Sequence, residues 1–418
     1  MARLVVATTP LTGHVQPMLL LVRALVARGH DVQWYGGSKF ASRIRETGAT
    51  YVAMHHARDF DDSDLDAAFP ALRKRTGLSR VKAQVRELFI APMVDQLRDL
   101  EAVSIGADAI VADSAHLGAA LLAEKHGVAW AGVGISALMV PSIDTAPFGS
   151  AYPPVPGPAG ERRNRIMNHL VFHMMFSSVN RAFRRTRVAA GLPAGDGTYF
   201  DVLARDLFLQ PTVPSFEYTR SDLPSQVRFI GPLVPRGNNA TQPPWWPDVV
   251  DAADRATPII LVTQGTMATD PRELIAPAVK GLAEEDVLVV VAGRYDGSVP
   301  ANTRVAPFVP YELVLPRAAA MVTNAGYGGV QMALSHGVPL VAAGGSEEKP
   351  EIAARIAWSG VGIDLKTGTP KPAQIRSALR RLLDDPGFRW RARAIAEEMR
   401  HYDAPTLGAE LIEGMITS

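Results

Sequence analysis

The sequence predicts an α/β protein made of two doubly wound, parallel-sheet halves. Three observations carry this expectation. Strand and helix patterns alternate β-α-β-α-β over residues 4–53, and a second strand–helix series starts at Pro258. Between the two series lies a polar, proline-rich stretch, GNNATQPPWWP, at residues 237–247. Strands alternating with helices pair in parallel, and ligands then collect outside the carboxyl ends of the strands.

Residues 4–7 read as a buried strand, followed by a loop over residues 8–14. From 15 to 28, Met18, Leu21, Val22, Leu25 and Val26 recur at i, i+3, i+4, i+7 and i+8, which is an amphipathic helix stopped by Gly29. A strand at 32–35, a helix at 38–46 and an extended segment at 51–53 complete the first series. His14 therefore lies just past a strand end. Residues 58–76 are charged and irregular, and 78–100 predict one long helix. Asp59, Asp61, Asp62 and Asp64 could hold a cation as paired carboxylates, but the glycine and terminal glutamate of a calcium loop are missing. The expectation is a solvated acidic loop and no metal.

Residues 107–113 form another strand with Asp113 at its C-terminal edge, followed by a helix at 117–126 and a strand at 129–133. The pattern loosens over 136–200, with a proline-rich segment at 141–158 and a helical run at 167–190. This is an insertion on the ligand side of the front half. Phe172, Met174, Met175 and Phe176 within it either wall an apolar compound or belong to the ordinary core.

The front half is expected to span 1–236, with a linker over 237–256 and a rear half over 257–395. The last stretch, 396–418, is expected to pack back on the front half. In the rear half a strand at 258–263 enters the turn Gln264-Gly265-Thr266-Met267, followed by a helix at 275–282 and strands at 287–292 and 305–308. The most informative stretch is MVTNAGYGGVQMALSHGVPLVAAGGSEEKPEIAARI, residues 321–356. A short strand turns through Asn324-Ala325-Gly326-Tyr327-Gly328-Gly329 into a helix whose inner face holds Val330, Ala333 and Leu334. Gly337 stops that helix before a strand at 338–343. A glycine turn entering a helix presents bare amides at the positive end of the helix dipole, which suits a phosphate. Alone the signal is weak. Gln331 stands where the last glycine of a G-x-G-x-x-G would be, and the alternative is a tight turn that needs its glycines only for packing.

Composition narrows the function classes. The 43 Lys and Arg against 42 Asp and Glu leave a net charge of +1 in 418 residues, which argues against nucleic acid or an anionic membrane as partner. No cysteine occurs, which excludes disulfides, thiolate catalysis and cysteine-bound metals. No apolar run reaches about 18 residues, so membrane insertion is not expected. Pro10 and Gly13 interrupt the start where a signal peptide's apolar core would continue. A cytoplasmic protein, monomeric or homodimeric, is the expectation.

Four features in this order resemble the family 1 nucleotide-sugar-dependent glycosyltransferases of the GT-B fold, especially the bacterial natural-product members. Thr12-Gly13-His14-Val15-Gln16-Pro17 is similar to that family's Gly-His-x-x-Pro opening, and Arg28-Gly29-His30-Asp31-Val32 to its next signature. Phe229-Ile230-Gly231-Pro232-Leu233 resembles the interdomain Gly-Pro. Phe308-Val309-Pro310, with residues 324–355, resembles the donor-binding signature. The resemblance covers essentially the whole chain.

It implies an inverting transfer from a UDP- or TDP-linked sugar to a hydroxyl of a small apolar acceptor such as a polyketide, macrolide or flavonoid. His14 would be the base, since imidazole can accept a hydroxyl proton near neutrality, and Asp113 would orient it as a triad aspartate does. The alternative for His14 is a packing or N-cap role. The Val309 backbone would pair with the nucleotide base, with Phe308 beside or under it. Gly265, Thr266, Gly326 and the amides of Gly328, Gly329 and Val330 would hold the diphosphate, a helix dipole replacing a metal, so that no cofactor is expected. Glu348 and Lys349 occupy the positions of an Asp-Gln pair that contacts sugar hydroxyls. Three departures stand out. Asn324 occupies the place of a phosphate-binding histidine and Met332 that of a ribose-gripping glutamate, while Lys349 adds a cation that could offset Asn324. Lost donor contacts favour a second reading, a catalytically silent partner of another transferase. A third, a nucleotide-sugar epimerase or hydrolase, predicts turnover without an acceptor.

Overall fold

The computed structural model describes residues 1–235, 241–265 and 270–417. The front half holds β1 (Arg3–Ala7), β2 (Asp31–Tyr35), β3 (Thr50–Val52), β4 (Ala109–Asp113), β5 (Ala129–Val133), β6 (Leu207–Gln210) and β7 (Val227–Phe229). They form one sheet in the order β3-β2-β1-β4-β5-β6-β7. The rear half holds β8 (Ile259–Thr263), β9 (Leu288–Ala292), β10 (Thr303–Ala306), β11 (Ala318–Thr323), β12 (Leu340–Ala342) and β13 (Gly362–Asp364), in the order β10-β9-β8-β11-β12-β13. Every pairing between these strands is parallel.

The central strands are buried on both faces, which is why they read as continuous Val, Ile, Leu and Ala runs with no polar alternation. Strand order reverses between β1 and β4 in front and between β8 and β11 behind. Such switch points open a crevice at the carboxyl ends of the strands. Residues 8–14 and Asp113 emerge at the first crevice, and Gln264, Gly265 and Asn324 at the second.

Several elements differ from expectation for identifiable reasons. The first helix spans Thr12–Ala27 and so takes in part of the segment read as a loop. Its start has no capping side chain of its own; instead Asp62 accepts from the Thr12 amide at 2.6 Å. The helix expected at 78–100 is broken into Gly77–Gln84, a π-helical Val85–Ile90 and Met93–Val103, the last beginning just after Pro92. The insertion's helical run starts earlier, at Pro158, because proline is tolerated in a first helical turn. In it Phe172 and Phe176 are core, packed on Phe200, whereas Met174 and Met175 are exposed.

The stretch expected as linker carries a helix, Trp246–Asp254. Trp246, Val249 and Ala252 fall at i, i+3 and i+6 and are buried in the rear core, so burial of that stripe outweighs the loop-like composition around it. Residues 237–240 of the linker lie outside the described residues. At the C-terminus, the Pro386–Arg400 helix stays on the rear half through Ala392, Ile395 and Met399. The Ala404–Thr417 helix buries Ala404, Ala409 and Ile412 in the front core. The two crossings between the halves meet at Gly231 (φ +77°), where a Cβ would collide with Tyr402.

Candidate active site between the two halves

β1 and β4 are neighbours in register, Ala7 beside Ala112, so the chain after Ala7 and the side chain of Asp113 leave the sheet at the same edge. His14 is the third residue of the Thr12–Ala27 helix, and its Nδ1 lies 3.0 Å from Asp113 Oδ1. Asp113 is fully buried, and its Oδ1 also accepts from the Ala115 amide at 2.8 Å, while Oδ2 accepts from the Thr9 amide at 2.6 Å. Burial alone would raise this carboxyl. His14, His116 and the Thr9 amide outweigh it and hold the group below the usual carboxylate range. An ionised carboxylate only accepts, so the Nδ1 of His14 carries a proton, and in the neutral ring Nε2 is the nitrogen with the lone pair. The ring stacks on Phe89 at 6.1 Å between centroids and retains only an edge of exposure.

The acidic loop contributes to this corner, which corrects the expectation that it is merely solvated. Asp62 is buried, caps the helix that carries His14, and pairs with Lys39 at 2.5 Å. Two needs drive its burial: an uncapped helix start seeks an acceptor, and the positive helix end favours a carboxylate. Nothing in the D-F-D-D-S-D run distinguishes Asp62 from its neighbours; only the fold does. Among the described residues, no group of three or more His, Cys, Asp or Glu is arranged to hold a metal ion.

In the rear half, Thr263 and Thr323 end paired strands side by side. Gly265 turns at φ +73° and Ala325 at φ +65°. Asn324 ties the two turns together: its amide nitrogen donates to the Gln264 carbonyl, and its oxygen accepts from the Gly326 amide at 3.3 Å. The Tyr327–Ser335 helix begins after extended Gly326 without a side-chain cap, so its first-turn amides have no intrahelical partner. The Val330 amide is different. It donates to the Gly326 carbonyl at 3.0 Å and closes the first turn, which removes it from the expected phosphate set and leaves Gly328 and Gly329. A Cβ at Gly328 would meet no protein atom within 4 Å. Thr266 lies outside the described residues.

Val309 is buried in the rear core, which anchors its backbone, while Phe308 is 76% exposed just beyond β10. Lys349 is mostly buried and ion-paired with Glu347, which bends back at φ +58° to reach it. The expectation that Lys349 supplies a spare cation is therefore corrected: a carboxylate two residues away neutralises it. Met332 is half-buried and packs against the rear core. Burial and nearby Glu347 raise the carboxyl of half-buried Glu348, and His14 of the front half pulls it the other way. Glu348 and His14 are thus within electrostatic reach of each other. Gln331, the residue that breaks the glycine pattern, exchanges hydrogen bonds with Thr212 of the front half at 3.0–3.2 Å. Tyr327 accepts from Gln210 at 3.0 Å, a second bridge between the halves.

Residues 278–415 match the family model described as Erythromycin biosynthesis protein CIII-like, C-terminal domain. The chain is 42% identical to 4'-demethylrebeccamycin synthase of Lentzea aerocolonigenes, covering 99% of this chain and 100% of that one. It is 34% identical to UDP-glycosyltransferase 2 of Phaeomoniella chlamydospora, over 96% and 92% of the two chains. The crystal structure of the kitacinnamycin glycotransferase superposes with a TM-score of 0.75 at 24% identity, over 99% of this chain and 98% of that one, which shows the shared GT-B fold. The chain belongs to the family 1 natural-product glycosyltransferases, enzymes that transfer sugars from nucleotide-sugar donors.

Proposed function

We propose that the protein is an inverting O-glycosyltransferase that moves a sugar from a UDP- or TDP-linked donor to a hydroxyl of a small apolar natural product. The observation that carries this is the His14–Asp113 pair, in which a buried carboxylate holds Nδ1 and leaves Nε2 as the candidate base. Nε2 takes the acceptor hydroxyl proton while that oxygen bonds to the anomeric carbon. The bond from that carbon to the diphosphate oxygen breaks on the opposite face, so the configuration inverts in one step. Asp113 stabilises the imidazolium that forms. The amides of Gly328 and Gly329, at the positive end of the Tyr327–Ser335 helix, receive the charge of the departing diphosphate, so that the transfer needs no metal. Exposed Phe308 offers a face for the nucleotide base, and Glu348 accepts from sugar hydroxyls beside His14. The name of the 42% identical relative, which makes 4'-demethylrebeccamycin, supports a small natural product as acceptor.

The test is incubation of the purified protein with UDP-glucose or TDP-glucose and a panel of polyketide, macrolide and flavonoid acceptors, in chelator. Mass spectrometry reads the product and NMR its anomeric configuration. A glycoside of inverted configuration is expected from at least one pair. A retained anomer refutes the mechanism, and nucleotide release without acceptor points to hydrolysis or epimerisation. Absence of any product overturns the enzymatic reading in favour of a silent partner.

A further inference from the structure

Glu351 lies on the Lys349–Trp358 helix of the rear half, yet its carboxylate reaches into the front half. Its Oε1 accepts from the amides of Gly149 and Ala151, at 2.8 and 2.7 Å. Both belong to the insertion that follows β5. Their backbones are left-handed, Gly149 at φ +94° and Ala151 at φ +56°. For alanine that conformation is strained and persists only where surrounding contacts enforce it. Phe148, just before them in the chain, packs against the rear core, so the whole bend is seated on the opposite half.

The anchor is itself held firmly. Glu351 Oε2 accepts from Arg355 Nη1 at 2.9 Å, and Arg355 donates through Nε and Nη2 to Glu217 of the front half at 2.8 and 2.7 Å. Glu217 also accepts from the Leu138 and Tyr218 amides, both at 2.9 Å, and from Arg220 at 3.3 Å. Arg355 lies over the Tyr218 ring at 4.0 Å. Two carboxylates and two guanidinium groups are thus buried together with balanced charge, as a buried cluster requires. The helix bearing Glu351 starts at Lys349, directly after Glu348 of the sugar-side loop.

We propose that Glu351 is a positioning residue that shapes the acceptor wall from the donor half: its carboxylate holds the 147–152 bend in its left-handed form only while the two halves are docked. The acceptor surface is then completed by the same helix whose first turn borders the donor sugar. This rests on the reading of the insertion as the acceptor wall.

Amide hydrogen exchange and steady-state kinetics on the full-length protein test it. Glu351→Ala should lose protection at Gly149 and Ala151 and raise the acceptor KM by about tenfold, with the donor KM within about twofold. Glu351→Gln keeps a carbonyl oxygen for the two amides but turns its NH₂ group toward Arg355, so it should lower the stability of the fold, as Glu351→Ala does, while local protection at the two amides and acceptor KM stay near those of the unsubstituted enzyme. Adding Ala151→Gly to Glu351→Ala removes the left-handed strain and should recover part of the acceptor KM. If Glu351 served only to pair Arg355, Glu351→Gln and Glu351→Ala would be equally damaging and the added Ala151→Gly would rescue nothing; that result overturns the proposal. Unchanged exchange, or raised exchange with an unmoved acceptor KM, also overturns it. Should the unsubstituted protein transfer no sugar at all, the functional reading fails, while exchange at the two amides still decides whether Glu351 holds the bend.

Discussion

Replacing Asp113 by Asn tests the assignment of the base with almost no change in shape. Asp113 accepts three hydrogen bonds, from His14 and the Ala115 amide at Oδ1 and from the Thr9 amide at Oδ2. An asparagine has one accepting oxygen. With that oxygen toward His14, its NH₂ group faces the Thr9 amide, and two buried donors oppose each other at a cost of about 1–3 kcal/mol of stability. With the oxygen toward Thr9, the NH₂ group faces Nδ1 and the Ala115 amide. His14 must then carry its proton on Nε2, where it can no longer accept one. In both orientations the negative charge that stabilises the imidazolium is gone. The expected loss in kcat is about 10²–10⁴-fold, the range of a general-base contribution. Nucleotide release under saturating acceptor measures kcat, and calorimetric titration with UDP or TDP measures donor affinity, which should stay within about twofold. A variant with kcat within about threefold of the unsubstituted enzyme refutes the role of the pair. Equal loss of kcat and donor affinity makes Asp113 a structural carboxylate instead.

Three further outcomes follow from the geometry. Gly328→Val should fold with nearly unchanged stability, because its Cβ meets no protein atom, yet weaken UDP or TDP binding by about tenfold or more by crowding the helix N-terminus; normal binding by calorimetry would place the diphosphate elsewhere. Asp62→Ala should cost about 1–2 kcal/mol in denaturant unfolding by uncapping the His14 helix, while Lys39 keeps its pairing with Asp61, and kcat should fall with it; an unchanged midpoint refutes the capping role. Glu217→Gln should cost about 3–5 kcal/mol at pH 7 by leaving Arg355 short of its partner. Burial pushes the Glu217 carboxyl up, but Arg355 and Arg220 outweigh it, so its folded pKa lies below the ordinary value. Its contribution is therefore complete above the unfolded carboxylate pKa of about 4.3 and is lost as pH falls through the folded value. The stability gap between the two proteins, read by urea unfolding, should stay constant from pH 7 to about 5 and shrink below about 4; a gap that widens in acid contradicts the pairing.

The parallel halves were legible because their strands are fully apolar and their helices end in strong signals. The 117–126 and 275–282 helices lie where their apolar spacing puts them, the first stopped by Gly127 at φ +70°. The proximity of His14 to Asp113 was legible from a general rule: residues at the carboxyl ends of adjacent parallel strands share one crevice. Contacts between distant segments were not legible, since no periodicity marks them. Asp62 looks like any residue of an acidic loop until the Thr12 amide is placed beside it. Glu351 and Arg355 look like an ordinary i, i+4 surface pair, yet both are buried against the other half. β6 is four residues long and follows a loose insertion, too short for its pattern to stand out. The Trp246–Asp254 helix was hidden by prolines and tryptophans whose composition suggests a connector, although one tryptophan is a core anchor.

Two of the three departures from the family pattern, Asn324 and Lys349, share a physical logic with Gln331, which breaks the glycine pattern. All three stand in the donor-binding stretch, and each directs a polar group at the protein itself. Asn324 joins two turns, Gln331 bridges to Thr212, and Lys349 is neutralised by Glu347. A histidine in place of Asn324 could carry charge toward a phosphate; an amide instead makes the two turns rigid with respect to each other. On the proposed reading the diphosphate would meet a cradle made chiefly of backbone, in which recognition depends on the placement of amides more than on side-chain charge. Such placement demands that the loops be held from behind, by Asn324 within the rear half and by Gln331 and Tyr327 across to the front. On that reading Asn324 both gives up a side-chain charge at the phosphate and fixes the geometry on which a backbone grip depends, so the two effects offset each other at one site.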